Sequence, residues 1–353
     1  MASTDASNVW ADTSSAGPGC PDAVQNVVPD QAAVDQFGAK ALVTQDMGDD
    51  AEALLADNPV IQKALAQGAT WVTDTGCEVT DVSAAPSEPD GNPAGPTAPL
   101  TDDTGNTTDS SATATSFFNW SGYEYKGLDF DHAYYNQAAM LWDVPTPQYA
   151  GGDVTSDSVW PGIGTGYSES DPLFQVGTES QWVTGGNPKS VTYAWWEIVP
   201  QYPTEVIFTG FPIAPGESVG AVTTVSANGT VILDLCDYSN GDCVEKETNV
   251  GSNDVTAQQA EWVVERSLGP NGFHQLNNFG NITIQHATGR QESGSGVSSD
   301  PFTVGASLPS ATFYRISMTQ CDGTPLASPN TNYPNANGDF VVHWEGPGIT
   351  ESC

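Results

Sequence analysis

The stretch QQAEWVVER, residues 258–266, alternates in a way that predicts a β-strand packed on both of its faces. One face carries Ala260, Trp262 and Val264, and the other carries Glu261, Val263 and Glu265. Such a strand is typical of a sheet with apolar packing on two sides. A carboxylate at its centre, Glu261, therefore needs a chemical explanation.

The rest of the chain beyond residue 116 shows the same kind of pattern. Short aromatic and β-branched runs are separated by clusters of Gly, Pro, Asn and Asp, and the 353 residues include 36 Gly and 25 Pro. Examples are NWSGYEYK, SVTYAWWEIV, TEVIFTGF, TVILDLC, NITIQHA and DFVVHWE. Because no clear helical period lies between them, the sequence predicts an all-β domain of antiparallel sheets packed face to face.

The chain divides into three parts by composition. Residues 1–82 contain the one convincing helical stretch, at 49–69, which Asn58-Pro59 is expected to break into two short helices. Residues 83–115 are rich in Pro, Gly, Ser, Thr and Asp, which predicts a linker. Residues 116–353 form the predicted β-domain.

The charge balance is strongly acidic, with 44 Asp and Glu against 8 Lys and Arg and a net charge of −36. No basic patch is available for nucleic acid or for an anionic membrane surface, so we expect neither as a partner. Two interpretations of the charge stay open: a protein that works at low pH, where carboxylates are protonated, or one adapted to high salt. No apolar run is long enough for a transmembrane helix, and no signal peptide is visible.

The six cysteines predict disulfides rather than a metal site. They are Cys20, Cys77, Cys236, Cys243, Cys321 and Cys353, and fifteen pairings are possible. Cys236 and Cys243 flank a hairpin turn signal, which favours a bridge between them, and Cys20–Cys77 is a possible bridge in the N-terminal part. The absence of CxxC spacing argues against a metal. We therefore expect export to an oxidising compartment and no cofactor.

Two DTG tripeptides, at 74–76 and 103–105, look like aspartic-peptidase motifs. They are too close together for each to sit in its own lobe, and the second lies in the predicted linker. We interpret both as chance matches.

Polar side chains within predicted strands are the stronger candidates for a site. Gln175 lies in DPLFQVG, Glu197 lies in SVTYAWWEIVP, and Glu261 lies in the strand described above. The pattern alone also fits three solvent-facing positions on a half-exposed sheet.

Residues 116–353 resemble the eqolisin, or glutamic, peptidases. The matching segments, in the family's order, are NWSGY, VWPGIG, LFQVG, YAWWEIVP, QAEWVVE, FGNITIQHA and DFVVHW. The resemblance implies a concanavalin-like sandwich of two large antiparallel sheets, which agrees with the all-β prediction.

The resemblance also implies roles for individual residues. Gln175 and Glu261 would be the catalytic pair, and Trp160, Glu197 and Trp195 would line the substrate cleft. One position departs from the family: members usually carry Asp after the Gly-Ile of the WPGIG segment, and this chain has Gly164.

The predicted function is therefore that of a secreted, monomeric acid endopeptidase acting on polypeptides. Glu261 would act as general base and then acid, and Gln175 would stabilise the oxyanion. The alternatives are a carbohydrate-binding concanavalin-like module and a peptidase relative inactivated at Gly164. Residues 1–82 would be a pro-segment over the cleft or an accessory region.

Overall fold

The computed structural model describes the following parts of the chain: residues 112–127, 134–150, 154–165, 171–183, 189–208, 211–239, 242–251, 257–269, 272–292, 299–308, 311–331 and 333–351. Within these ranges every regular element is a β-strand, and no helix is long and apolar enough to cross a membrane. The predicted N-terminal helices and most of the predicted linker lie outside them.

The described residues form nineteen strands. These are β1 Thr113–Phe117, β2 Trp120–Gly127, β3 Tyr134–Asp143, β4 Val154–Gly164, β5 Leu173–Val183, β6 Lys189–Val199, β7 Tyr202–Ile207, β8 Ser218–Val225, β9 Thr230–Asp237, β10 Asp242–Asn249, β11 Gln259–Glu265, β12 Leu268–Gly269, β13 Gly272–Phe273, β14 Gln275–Leu276, β15 Asn281–Glu292, β16 Ser299–Thr303, β17 Ala311–Thr319, β18 Pro325–Pro329 and β19 Phe340–Trp344. Strand β1 begins within the last residues of the predicted linker.

Two layers of strands follow from the pairing. The first layer runs in the order β1, β17, β2, β11, β4, β5, β6, β7. The second runs β16, β15, β3, β8, β9, β10. Strands β18 and β19 join the layers by pairing with β17 and β15. Because β3 lies against β11 and β4, and β5 against β8 and β9, without hydrogen bonding to them, the arrangement is consistent with a sandwich.

The sheets are mainly antiparallel, as predicted, but two pairings are parallel. Strand β1 runs parallel to β17, and the two-residue strand β14 runs parallel to one end of β4. The first pairing lies at the edge of the first layer, and the second lies beyond the end of β11. The strands at the centre of the first layer are all antiparallel to their neighbours.

Strand β11 has the two buried faces that its alternation predicts. Ala260, Trp262 and Val264 lie in the core between the layers. The indole N–H of Trp262 donates to the backbone oxygen of Ala139 in the opposite layer, at 3.0 Å. Every side chain of β11 is buried, including Glu261. The opposite face of the first layer, which carries Glu261, is called the site face below.

The site face has an apolar cluster of its own, separate from the interlayer core. Its buried members are Phe117, Trp120, Trp160, Leu173, Tyr193, Trp195, Val199, Val263 and Ile316. Trp120 and Trp160 pack edge to face with ring centroids 5.0 Å apart. The aromatic residues that the sequence places beside the candidate site therefore form a packed surface around it.

The predicted bridge between Cys236 and Cys243 is present and joins β9 to β10. Cys321 is disulfide-bonded as well. The remaining cysteines, Cys20, Cys77 and Cys353, lie outside the described residues.

Candidate active site

Five residues from five neighbouring strands form one row across the site face. Glu261 on β11 lies opposite Glu124 on β2 and, on its other side, opposite Gly162 on β4. Gly162 lies opposite Gln175 on β5, which lies opposite Glu197 on β6. Residues directly opposite each other project from the same face of a sheet. The structure therefore brings the predicted residues Gln175, Glu197 and Glu261 together.

Gly162 contributes no side chain to the row between Glu261 and Gln175. A Cβ atom there would lie 3.0 Å from Glu261 Oε2 and 2.6 Å from Cζ3 of Trp160. Neighbouring strands are ~4.8 Å apart, so the backbones of β11 and β5 are separated by roughly 10 Å with no side chain of β4 between them. The ring of Trp160 and the carboxyl of Glu261 lie close above Gly162, and no side chain of residue 162 separates Glu261 from Gln175.

The environment of Glu261 favours its protonated form. Its side chain is fully buried, and neither carboxyl oxygen has a hydrogen-bond partner. Burial, and secondly the nearby carboxyl of Glu124, raise the pKa of Glu261 well above its usual range, whereas the positive charge of Lys126 lowers it. A base with a raised pKa is a stronger proton acceptor once it is ionised.

Glu197 orients the amide of Gln175. Nε2 of Gln175 donates to Oε2 of Glu197, and both side chains are buried. A carboxylate oxygen accepts hydrogen bonds, so this contact directs the NH₂ end of the amide, rather than its oxygen, towards Glu197. The same nitrogen carries a second N–H that can be donated elsewhere.

Trp160 and Trp195 lie one step along the site face from this row. The indole N–H of Trp160 donates to Glu265 Oε2 at 2.8 Å, and that of Trp195 donates to Ser158 Oγ at 3.1 Å. Both rings are fully buried and held by these hydrogen bonds. The structure thus places the predicted cleft tryptophans next to the row and gives each a fixed orientation.

Gly164 lies beside Glu261 rather than beside Gln175. Its partners across the sheet are Gln259 and Leu173, and a Cβ atom at this position would lie 3.3 Å from Glu261 Oε1. A side chain in place of Gly164 would therefore contact the carboxyl of Glu261. The departure at Gly164 therefore bears on the surroundings of Glu261.

Glu124 and Gly162 are the residues of the row that the sequence analysis missed. Glu124 alternates with Tyr123 and Tyr125 in β2, as Glu261 alternates with Ala260 and Trp262 in β11. That shared pattern could have marked Glu124 as a candidate for the same face of the sheet as Glu261. Which strand lies beside β11 cannot be read from it.

In the described part of the chain, no three His, Cys, Asp or Glu side chains are grouped so that they could hold a metal ion.

Comparisons with known proteins identify the family. Solved structures similar to this chain include scytalido-glutamic peptidase with a transition state analog inhibitor, at 19% identity and a TM-score of 0.46, covering 64% of this chain and 98% of that one. Aspergilloglutamic peptidase from Aspergillus niger matches at 21% identity and a TM-score of 0.41, covering 54% and 99%. No curated protein sequence matches. The Peptidase A4 family matches residues 118–332, more than half of the chain. The chain is therefore a member of the Peptidase A4, or eqolisin, family.

Proposed function

We propose that this protein is an endopeptidase that hydrolyses peptide bonds with Glu261 as general base and acid and Gln175 as oxyanion stabiliser. The observation that carries the proposal is the row in which Glu261 and Gln175 face each other across Gly162. Membership of a peptidase family supports polypeptides as the substrate class.

The reaction follows from the chemistry of the two groups. Ionised Glu261 takes a proton from a water molecule, whose oxygen bonds to the carbonyl carbon. An N–H of Gln175 donates to the oxygen that becomes negative in the tetrahedral intermediate. The C–N bond then breaks, and Glu261 returns the proton to the leaving amine nitrogen. Glu197 keeps the Gln175 amide in the donor orientation.

The cleft residues have a supporting role in the proposal. Trp160 and Trp195 would form the floor against which an extended peptide lies, and their internal hydrogen bonds keep that floor rigid. We propose that the sandwich is of the concanavalin-like type and that the site face is its substrate-binding face.

Substrate access requires the site face to open. Glu261, Gln175 and Trp160 are no more than 2% exposed. We therefore propose that residues 1–82 act as a pro-segment over this face and are removed by a cut in the linker at 83–115. The disulfide between Cys236 and Cys243 supports secretion as the route by which the protein reaches its substrates.

The test is Glu261→Gln, which keeps the shape of the side chain and removes the base. Digestion of denatured casein, measured at the pH where the wild-type chain is most active, should fall by at least ~10²-fold, since general-base catalysis contributes ~10²–10⁴-fold. The matched control is Glu245→Gln, because Glu245 is also a buried carboxyl on a strand but belongs to β10 in the other layer. A folded Glu261→Gln protein with the activity of the Glu245→Gln control would refute the assignment.

A further inference from the structure

The carboxyl beside Glu261 in the row, that of Glu124, has no part in the proposed reaction. Glu124 on β2 lies directly opposite Glu261 on β11, and both side chains are fully buried. The side-chain amide of Gln259 donates to Glu124 Oε1 at 2.8 Å. Opposite residues on antiparallel strands have Cβ atoms only ~5 Å apart. Two carboxyls so placed must affect each other's ionisation.

The two carboxyls differ in their hydrogen bonding. Glu124 receives the amide N–H of Gln259, and a hydrogen bond to a carboxylate favours its charged form. Neither oxygen of Glu261 has a hydrogen-bond partner. The hydrogen bond thus favours a negative charge on Glu124, and a negative charge there raises the pKa of Glu261.

The site face carries other ionisable groups besides Glu124 and Glu261. Among the described residues they are Lys126 on β2, Tyr314 on β17, Glu265 on β11, Glu179 on β5, Tyr193 and Glu197 on β6, and Glu205 on β7. Of these, Lys126 lowers the pKa of Glu261. Strand β4, on the other side of Glu261, presents Gly162 and Gly164 there, so this strand places no charge next to Glu261.

We propose that Glu124 is a positioning residue of the active site that holds a proton on Glu261 and so sets the pH at which Glu261 becomes able to act as a base. The inference rests on the proposed function of Glu261. During turnover Glu124 stays ionised and exchanges no proton with the substrate. Glu261 alone takes the proton from water and returns it to the amine, so the proton count of the pair is the same before and after each cycle.

The first experiment compares the pH dependence of kcat/KM for the wild-type chain and Glu124→Gln. Gln keeps an oxygen that can accept from Gln259, and it carries no charge. The acid limb of the profile, which reports the ionisation of the free enzyme's base, should move to lower pH by at least ~1 unit. The plateau should fall as well, because Glu261 becomes a weaker base. A limb that stays in place while the plateau falls would show a purely structural role and overturn the proposal.

Two further variants test whether the shift of the acid limb comes from the charge of Glu124. Glu245→Gln removes a buried carboxyl from the other layer and should leave the acid limb where it is; an equal shift there would overturn the proposal. Should Glu124→Gln fold poorly, Glu124→Met with Gln259→Met removes the charge and its hydrogen-bond partner together, which is often nearly neutral for stability. That double variant should shift the limb in the same direction, and an unshifted limb in it counts against the proposal.

A direct titration separates this inference from the proposed function. The side-chain carboxyl carbon of Glu261, identified by its disappearance in Glu261→Gln, is followed by ¹³C NMR as the pH is varied. Its midpoint should lie at least ~1 pH unit lower in Glu124→Gln than in the wild type. An unchanged midpoint overturns the inference whatever the activity shows. A lowered midpoint in a protein whose Glu261→Gln variant still digests casein would instead show that the function of Glu261 is assigned wrongly.

Discussion

The stability of this protein should fall as the pH rises from acid to neutral, and Asp157 provides a defined test. Asp157 on β4 is 1% exposed, and Asn277 Nδ2 donates to its Oδ1 at 2.6 Å. Its Oδ2 is buried without a hydrogen-bond partner. The pKa of Asp157 is raised from 3.8 to about 7, mainly by burial. The hydrogen bond from Asn277 lowers this pKa, whereas the negative charge of Glu179 raises it further.

The sign and size of the effect follow from this shift. The folded state binds the proton of Asp157 more tightly than the unfolded state does. The resulting contribution to the unfolding free energy is therefore complete below pH 3.8 and is lost as the pH rises to about 7. A difference of about 3 pKa units at ~1.36 kcal/mol per unit corresponds to about 4 kcal/mol of unfolding free energy. Asp157→Asn removes the ionisable group and can keep an acceptor for Asn277.

The assay is urea unfolding at a series of pH values between 3 and 8. Asp157→Asn should match the wild type at the acid end within about 1 kcal/mol and be more stable near neutrality by up to about 4 kcal/mol. Asp322→Asn is the control, because hydrogen bonds from Thr324 lower the pKa of this exposed carboxyl. Any loss of stability in that variant should decrease as the pH falls. A stability difference between Asp157→Asn and wild type that is constant across the range would refute the reasoning.

Three further predictions concern the site, the disulfide and the N-terminal region. Gly162→Ala places a methyl group 3.0 Å from the carboxyl of the proposed base, so casein digestion should fall by at least ~10²-fold. The control is Gly346→Ala, where the methyl group would lie 3.7 Å from the nearest atom, the backbone oxygen of Pro325, and activity should be kept. Replacing both Cys236 and Cys243 by Ser opens a bridge with a sequence separation of 7 and should lower the unfolding free energy by about 2 kcal/mol in urea titration; an unchanged value contradicts this. Mass spectrometry of the chain held at acid pH should show a cut within 83–115 that precedes full activity, and full activity of the intact chain from the first time point would exclude a pro-segment.

The local pattern of the sequence determined the class of fold and the two-sided character of β11. The alternation of Ala260, Trp262 and Val264 with Glu261 and Val263 depends only on the two-residue period of a strand, which any register preserves. The hairpin bridge between Cys236 and Cys243 was predictable for a similar reason, since both ends of a hairpin are close in sequence. Resemblance to the eqolisin peptidases implied the roles that we propose for Gln175 and Glu261, which composition and spacing alone left open.

Only the tertiary structure decided which side chains meet. Glu124 and Gln259 are hydrogen-bonded although 135 residues separate them, and nothing local in either segment specifies that pairing. The same holds for Gly162, whose place between Glu261 and Gln175 follows from β4 lying between β11 and β5. Strand order and register are set by the packing of the whole sandwich, because a slip of one residue would turn every buried side chain to the other face. The charge state of Glu261 therefore depends on neighbours that its own strand cannot reveal.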